Sequence, residues 1–376
     1  MKKLFRKIDF PLAIPLSLIC ILGIIMLYSA SSFISISQYG VDDDYFFRSQ
    51  LNKLLLGIVG LITCIFIPFR FWKKKLISIV IAIGSISLLM LVLWKGKVVN
   101  NAQSWIFGIQ PAEFIKIGSI IVVSRFFSRR QESHKSYWNG IGFIFLFLSA
   151  VFILIYKQPN LGSALLIFAT AFSIFLCSGI NINVLIKRIF LTSIFWIPLL
   201  YFFIRYGLSD VQMKRITTVL NPFHDPQGDG YQLINSFIAI ASGGIEGRGL
   251  GNSLQKQGHL PEPHTDFIMA IISEELGFTG VFLILIGLFL IVFRSLRIAQ
   301  KCNDLFGSLI AIGIGCMIGI QSIVNLGGIT GLIPLTGTPL PFVSLGGSSL
   351  MANLIAMGIL MNISLYTRIN QSYSQK

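Results

Sequence analysis

Three groups of residues in this 376-residue chain are of the type and spacing to do chemistry. The first is Asp266, in Pro261-Glu-Pro-His-Thr-Asp-Phe-Ile268, where a polar, proline-punctuated approach runs into a long apolar stretch. Two prolines favour an extended approach and Thr265 is an acceptable N-cap, so a helix is expected to start at Asp266 and hold its carboxylate at a membrane surface. There it is read as a catalytic carboxylate; the plainer account is an acid complementing a helix dipole. At ~1.5 Å rise per residue, Glu274 and Glu275 would lie roughly 12 Å deeper on that helix, where an ionisable group is expensive and functionally suspect.

The second group is Glu113 and Lys116 in Gln110-Pro-Ala-Glu-Phe-Ile-Lys116, three apart on one helix face and able to pair. A structural pair and a phosphate-binding lysine are equally open. Trp105, just upstream in a polar loop, is either an interfacial anchor or a stacking surface for a sugar. The third group is Gly346, Gly347, Ser348 and Ser349, small residues that could bind an anion at a helix N-terminus or let helices pack closely. Arg215, Arg248 and His264 are further candidates for phosphate contact; each could equally be a solvated loop residue.

Hydrophobic residues make up 54% of the chain, charged residues 12%, and mean hydropathy is +0.78, so these groups must be positioned by membrane-spanning helices. At about 20 apolar residues per crossing, spans are expected at 10–33, 51–68, 76–94, 111–127, 140–157, 161–179, 184–204, 266–293, 305–325 and 345–365. The expected fold is therefore an all-α polytopic membrane protein of ten helices, one integral domain over 1–376. The initial Met-Lys-Lys-Leu-Phe-Arg-Lys and its apolar run form a retained first helix, because the run is too long for a signal peptide.

The net charge of +15 does not indicate nucleic acid, because the cations alternate between connections. Lys2 to Lys7, Arg70 to Lys75, Arg125 to Lys135, Lys187-Arg188, Arg294 to Lys301 and Arg368 to Lys376 fall on one side, the cytoplasmic one, with both termini. The other connections carry acids such as Asp42-Asp-Asp44, so Asp266 is expected outside. The longest connection, 205–265, is external and rich in Gly and Pro, with a short apolar helix at Ser236–Ala241. From Leu305 to Thr367 there is no Asp, Glu, Lys, Arg or His, more residues than two spans need. The uncharged surplus, 326–344, predicts a re-entrant external loop packed in protein. The five cysteines form neither a disulfide framework nor a metal-ligand pattern.

Together these pieces resemble the SEDS family of integral-membrane peptidoglycan glycosyltransferases, the FtsW, RodA and SpoVE group. The resembling stretches are Ala102-Gln-Ser-Trp-Ile106, Gln110 to Lys116, Gln158-Pro-Asn-Leu-Gly162, Gly230-Tyr-Gln232, Gly247-Arg-Gly-Leu-Gly251, Leu260 to Ile268, Glu274-Glu-Leu-Gly277 and Ile333 to Ser349. The resemblance implies ten transmembrane helices, a large external loop between helices seven and eight, and an essential acid at the position of Asp266. It also implies polymerisation of lipid II into glycan strands, with undecaprenyl diphosphate leaving, a class B penicillin-binding protein as transpeptidase partner, and other division proteins nearby. Lys256 to Asp266 resembles the division branch, FtsW, more than RodA, which points to the septum of the bacterial cytoplasmic membrane. Asn160 stands where the family usually has Asp, which removes a charged role there. In this chemistry Asp266 would be the base, and Lys116, Arg215 or Arg248 would face the diphosphate, with or without Mg²⁺ or Mn²⁺; no dedicated metal motif occurs. The alternatives are a lipid II flippase, an elongation polymerase of RodA type, or a scaffold.

Overall fold

The computed structural model describes residues 9–99, 102–133, 141–180, 207 and 209–374. Its helices are α1 (Phe10–Ser37), α2 (Tyr45–Phe66), α3 (Lys75–Lys95), α4 (Pro111–Glu132), α5 (Ile141–Tyr156), α6 (Leu161–Leu176), α7 (Asp210–Leu220), α8 (Tyr231–Gly243), α9 (Ile268–Lys301), α10 (Leu305–Ile329) and α11 (Gly347–Ser374). Strands β1 (Lys97–Val99) and β2 (Ala102–Trp105) form an antiparallel hairpin between α3 and α4. Six helices, α1, α2, α3, α9, α10 and α11, are long and apolar enough to cross a membrane; α5 and α6 are apolar but shorter. Each expected span falls on one helix, except 184–204, which lies outside the described residues.

Helix α11 runs through the core. Its contact with α2 is close because glycines replace side chains at the crossing: a Cβ on Gly358 would sit 2.4 Å from the Leu61 carbonyl oxygen. Between helices in lipid, where no hydrophobic driving force remains, such small residues permit the dispersion contacts that hold a bundle together. Conversely, Phe278, Phe282 and Phe289 of α9 point outward, as expected of a surface facing lipid rather than water.

One end of the bundle collects the segments with alternating basic charge. Asp9, its side chain fully buried, is held by Arg294 at 3.0 Å and Arg368 at 2.9 Å. Arg70 and Lys73 approach Asp304 at 3.6 and 3.8 Å, and Lys73 also pairs with Glu132 at 2.6 Å. Asp304 in turn caps α10 through the amides of Phe306 and Gly307. At the opposite end lie the β hairpin, the 209–267 connection and the 330–346 connection.

The expected uncharged loop is irregular from Thr330 to Gly346, yet Thr338, Leu340, Phe342, Val343 and Ser344 are buried in it. Its carbonyls find donors on the helices: Gln321 gives to Pro339 at 2.7 Å, Asn325 to Thr338 at 2.9 Å and Gln50 to Ser344 at 3.1 Å. The short apolar helix expected at 236–241 is the longer α8, tied to α10 by Ser236 donating to the Ile329 carbonyl at 2.9 Å.

The 34-residue α9 is two helices in one. Gly277 breaks it with φ 62° and ψ −156°, a conformation without steric cost only for glycine. Residues 268–275 are buried on every side, and the lipid-facing pattern begins only at Phe278.

These contacts predict the effect of adding one methyl group to α1. A Cβ at Gly23 would lie 2.7 Å from the Phe342 oxygen and 2.9 Å from Val343 Cα, both backbone atoms that cannot rotate away. Gly23→Ala should therefore destabilise the detergent-purified protein by about 1–3 kcal/mol, read as a lowered melting temperature; an unchanged melting temperature would show that the loop does not pack on α1.

Candidate active site

Asp266 lies in a run of tight turns, not at a helix start. The expected extended approach and Thr265 cap are both corrected here: Thr265 hydroxyl donates back to the Glu262 carbonyl at 3.0 Å and carboxylate at 3.2 Å, and α9 begins two residues later at Ile268. Glu262 sits at φ 54° and the Thr265 amide returns to its carbonyl, so the local chain curls instead of extending. The Asp266 carbonyl is fixed by Asn325 at 2.9 Å, and the same amide group holds Thr338. Gly337 therefore passes directly over the carboxylate, where even a Cβ would lie 3.5 Å from Oδ2.

The electrostatics of Asp266 follow from this packing. Burial against the loop disfavours the charged form, the negative Glu262 adds to that, and the Arg215 guanidinium opposes both, leaving the carboxyl raised to about 6. Arg215 is an exposed residue of α7 whose Nη1 donates to the Leu335 carbonyl at 3.0 Å, two residues before Gly337. An open cavity of about 440 Å³ adjoins it, lined by Lys214, Arg215, Asp229, Gln232, Pro261 and Leu335 among others. A half-buried carboxylate, a cation and an open cavity thus share one loop.

Other candidates support this arrangement from behind. Lys116 and Glu113 are each 3% exposed and pair at 2.7 Å, and Lys116 also donates to Gln321 Oε1 at 3.0 Å. Gln321 passes the connection on to Pro339, so the pair braces the loop over Asp266. Ser348 hydroxyl accepts from the Gln110 amide at 2.9 Å, and Ser349 lies within 3.4 Å of Gln321, so this helix start is knitted into the bundle through side chains. Gly346 abuts Pro339, and Gly347 is crossed by the Lys53 side chain. Asn160 caps α6 by accepting from the Ser163 amide at 3.2 Å, and Gly162 beyond it packs on Thr336 and Thr338. Trp105 is half-buried in the β hairpin, five residues before the Gln110 contact.

His264 is not a solvated loop residue. It is buried, stacked near Phe46 at 4.8 Å, and its carbonyl accepts from Leu345 at 2.9 Å; burial lowers its pKa below the ordinary value despite the nearby Glu262. A neutral imidazole so placed positions the turn and offers phosphate no charge.

Glu274 and Glu275, expected as costly, functionally suspect acids deep in a span, are instead well-satisfied carboxylates. Glu274 receives Arg248 at 3.4 Å, the amides of Leu254 and Gln255 at 3.0 and 3.3 Å, and the Ser253 hydroxyl. Glu275 receives Lys256 Nζ at 2.8 Å and the Ser29 hydroxyl at 2.7 Å. Arg248 is thereby engaged with Glu274. Sequence reading missed Lys256, Gln321 and Asn325; the last two were visible as amides four apart in an apolar span.

The chain matches the family described as "Cell cycle protein", the FtsW, RodA and SpoVE family, over residues 11–369, and it belongs to that family. It is 39% identical over 383 residues to a Bacillus subtilis protein named probable peptidoglycan glycosyltransferase FtsW, covering 100% of this chain and 95% of the relative. It is 40% identical to stage V sporulation protein E of the same organism, covering 96% and 98%. Two solved structures share the fold. One is described as "Structural coordination of polymerization and crosslinking by a peptidoglycan synthase complex", with TM-score 0.76, 27% identity and coverage of 96% and 98%. The other is the rod shape determining protein RodA of Thermus thermophilus, with TM-score 0.67, 25% identity and coverage of 95% and 96%.

The buried Lys256 and Glu275 pair makes a prediction of its own. Lys256→Met leaves a carboxylate uncompensated and should cost about 3–5 kcal/mol, whereas Lys256→Met with Glu275→Gln should recover much of that loss. Thermal unfolding of the two variants in detergent tests this; equal destabilisation would show that the pair is not coupled.

Proposed function

We propose that this protein is a peptidoglycan glycosyltransferase that polymerises lipid II into glycan strands at the outer face of the cytoplasmic membrane, with Asp266 as general base. The observation that carries the mechanism is the partly buried Asp266 carboxyl, raised to about 6 and within electrostatic reach of Arg215, which itself lines an open cavity. Membership of the family and the activity in its relatives' names support the reaction class. Likeness to the FtsW relatives favours septal synthesis during division.

Glycosyl transfer needs a base for the acceptor sugar hydroxyl and positive charge for the departing undecaprenyl diphosphate. A carboxyl raised to about 6 is a stronger base than an ordinary aspartate and is still mostly ionised at pH 7. Arg215 serves the diphosphate, since Lys116 is buried against Glu113 and Gln321 and Arg248 holds Glu274. Trp105 remains a proposed saccharide contact and Gly346–Ser349 a proposed anion contact, and Asn160 and His264 act by holding the surrounding turns. Among the described residues no three His, Cys, Asp or Glu side chains gather, and Mg²⁺ or Mn²⁺ is assigned no step.

The proposed topology is ten spans, both termini cytoplasmic, with the Asp266 end outward. The gathering of Arg70, Lys73, Arg125, Arg294, Lys301 and Arg368 at the opposite end supports that orientation. A class B penicillin-binding protein is the proposed partner, because a solved neighbour concerns polymerisation coordinated with crosslinking.

Gel assay of glycan chains from purified lipid II tests the assignment. Asp266→Asn should lower polymerisation by about 10²–10⁴-fold; a normal rate would overturn it. Because the ionised form is the active one, the rate should fall as pH drops through about 6. Removing the negative neighbour in Glu262→Gln should move that limb to lower pH, and removing the positive one in Arg215→Gln should move it to higher pH. An acid limb unmoved by either change would show that another group titrates.

A further inference from the structure

The end of the bundle away from Asp266 holds a second cavity, of about 220 Å³, between the C-terminal turns of α9 and α11. Its polar lining is Arg294, Arg297, Lys301, Arg368, Ser364, Thr367 and Gln371. Four cations thus face one small space. The acid that answers them is Asp9, already engaged by Arg294, Arg368 and the Ser364 hydroxyl. Asp304, the next carboxylate along the chain from α9, is turned toward Arg70 and Lys73. Arg297 and Lys301 make no ion pair among the described residues, and Arg297 lies over the Phe293 ring at 5.0 Å. The cavity therefore keeps a surplus of positive charge that nothing in the described fold neutralises.

Cations near a helix C-terminus complement its dipole, and basic connections set orientation. Neither role requires a concave space lined by four of them. We infer that this cavity binds the phosphodiester of an anionic phospholipid, a site separate from the catalytic one. The apolar surface beside it argues for a lipid over a free anion. Phe289, Phe293 and Leu296 are 63%, 43% and 39% exposed along α9, forming a stripe that rises from Arg297. Phe10 and Ile14 of α1 are exposed next to Asp9 at 57% and 54%. A headgroup in the cavity would let its acyl chains lie on these surfaces. Zwitterionic headgroups carry an ammonium that the surplus charge repels, so the site selects lipids whose net charge is negative.

The test uses the full-length protein in detergent, with melting temperature followed by intrinsic fluorescence during titration with phosphatidylglycerol, phosphatidylcholine or inorganic phosphate. Arg297→Gln with Lys301→Gln removes the two unpaired cations and spares those holding Asp9; Lys95→Gln with Lys97→Gln makes the same charge change at the opposite end. Phosphatidylglycerol should raise the melting temperature of the wild type and of the Lys95 and Lys97 variant. The Arg297 and Lys301 variant should need on the order of thirtyfold more lipid for half the effect. An equal response of both variants overturns the site. An equal effect of phosphatidylcholine overturns the charge selection, and a shift reproduced by inorganic phosphate in the wild type overturns the lipid assignment. This outcome is independent of Asp266 chemistry, which the glycan assay reads separately.

Discussion

The fold around Asp266 depends on one side-chain amide. Irregular backbone inside a helical membrane bundle is tolerated only where its polar groups find partners within the protein, since hydrocarbon supplies none. Asn325 meets that need at two points, donating to the Asp266 carbonyl and to the Thr338 carbonyl from the same nitrogen. It thereby joins the turn that carries the carboxylate to the loop that covers it. Gln321, one helical turn earlier, extends the arrangement to Pro339 and takes its own support from Lys116. The proposed base must be held within about 0.5 Å of its productive geometry, and that precision comes from α10, a helix that contributes no charged group itself.

A second constraint acts on the long connection between α7 and α9. The chain from Gly244 to Lys256 must lie against the first turns of α9, and Gly277 makes room by leaving the helical conformation. The amides of Arg248 and Gly249 then reach the carbonyls of Glu274 and Glu275, while Phe278 returns to Gly244. The two glutamates complete the seam with their side chains, one to Arg248 and Ser253, the other to Lys256 and Ser29 of α1. Asp266 is thus fixed by a short buried helix clamped on both sides, one clamp being α10 and the other the connection itself.

The sequence made the apolar spans readable because lipid imposes a length and a polarity on every crossing, and α1, α3, α4, α5 and α6 start within a residue of their expected limits. It made the uncharged loop readable for the same reason, since 63 residues without charge exceed two spans. It misled at Thr265, where a residue suited to capping spends its hydroxyl on Glu262 because the preceding turn brings that group closer. Glu274 and Glu275 looked anomalous only because their partners lie elsewhere in the chain. Ser29 is 246 residues from Glu275, and no local pattern announces that contact. The orientation of Arg215 toward Leu335, across 120 residues, was hidden in the same way.

The fate of those two glutamates bears on catalysis against transport. A path that carries a charged headgroup across the bilayer needs ionisable groups along its length that can exchange one partner for another. Glu274 and Glu275 are the deep candidates, and each is fully buried with a cation and hydroxyl or amide donors already in place. Releasing either would expose an uncompensated charge at a cost of several kcal/mol, which suits a permanent fastening and opposes a moving relay. Glu113 and Lys116 are held just as firmly, by each other and by Gln321. At the Asp266 end, by contrast, Lys214, Arg215 and Asp229 line an open cavity, and Asp266 and Glu262 are only partly buried near Arg215. Accessible charge beside Asp266 above a fastened interior suits a polymerase working at one face of the membrane.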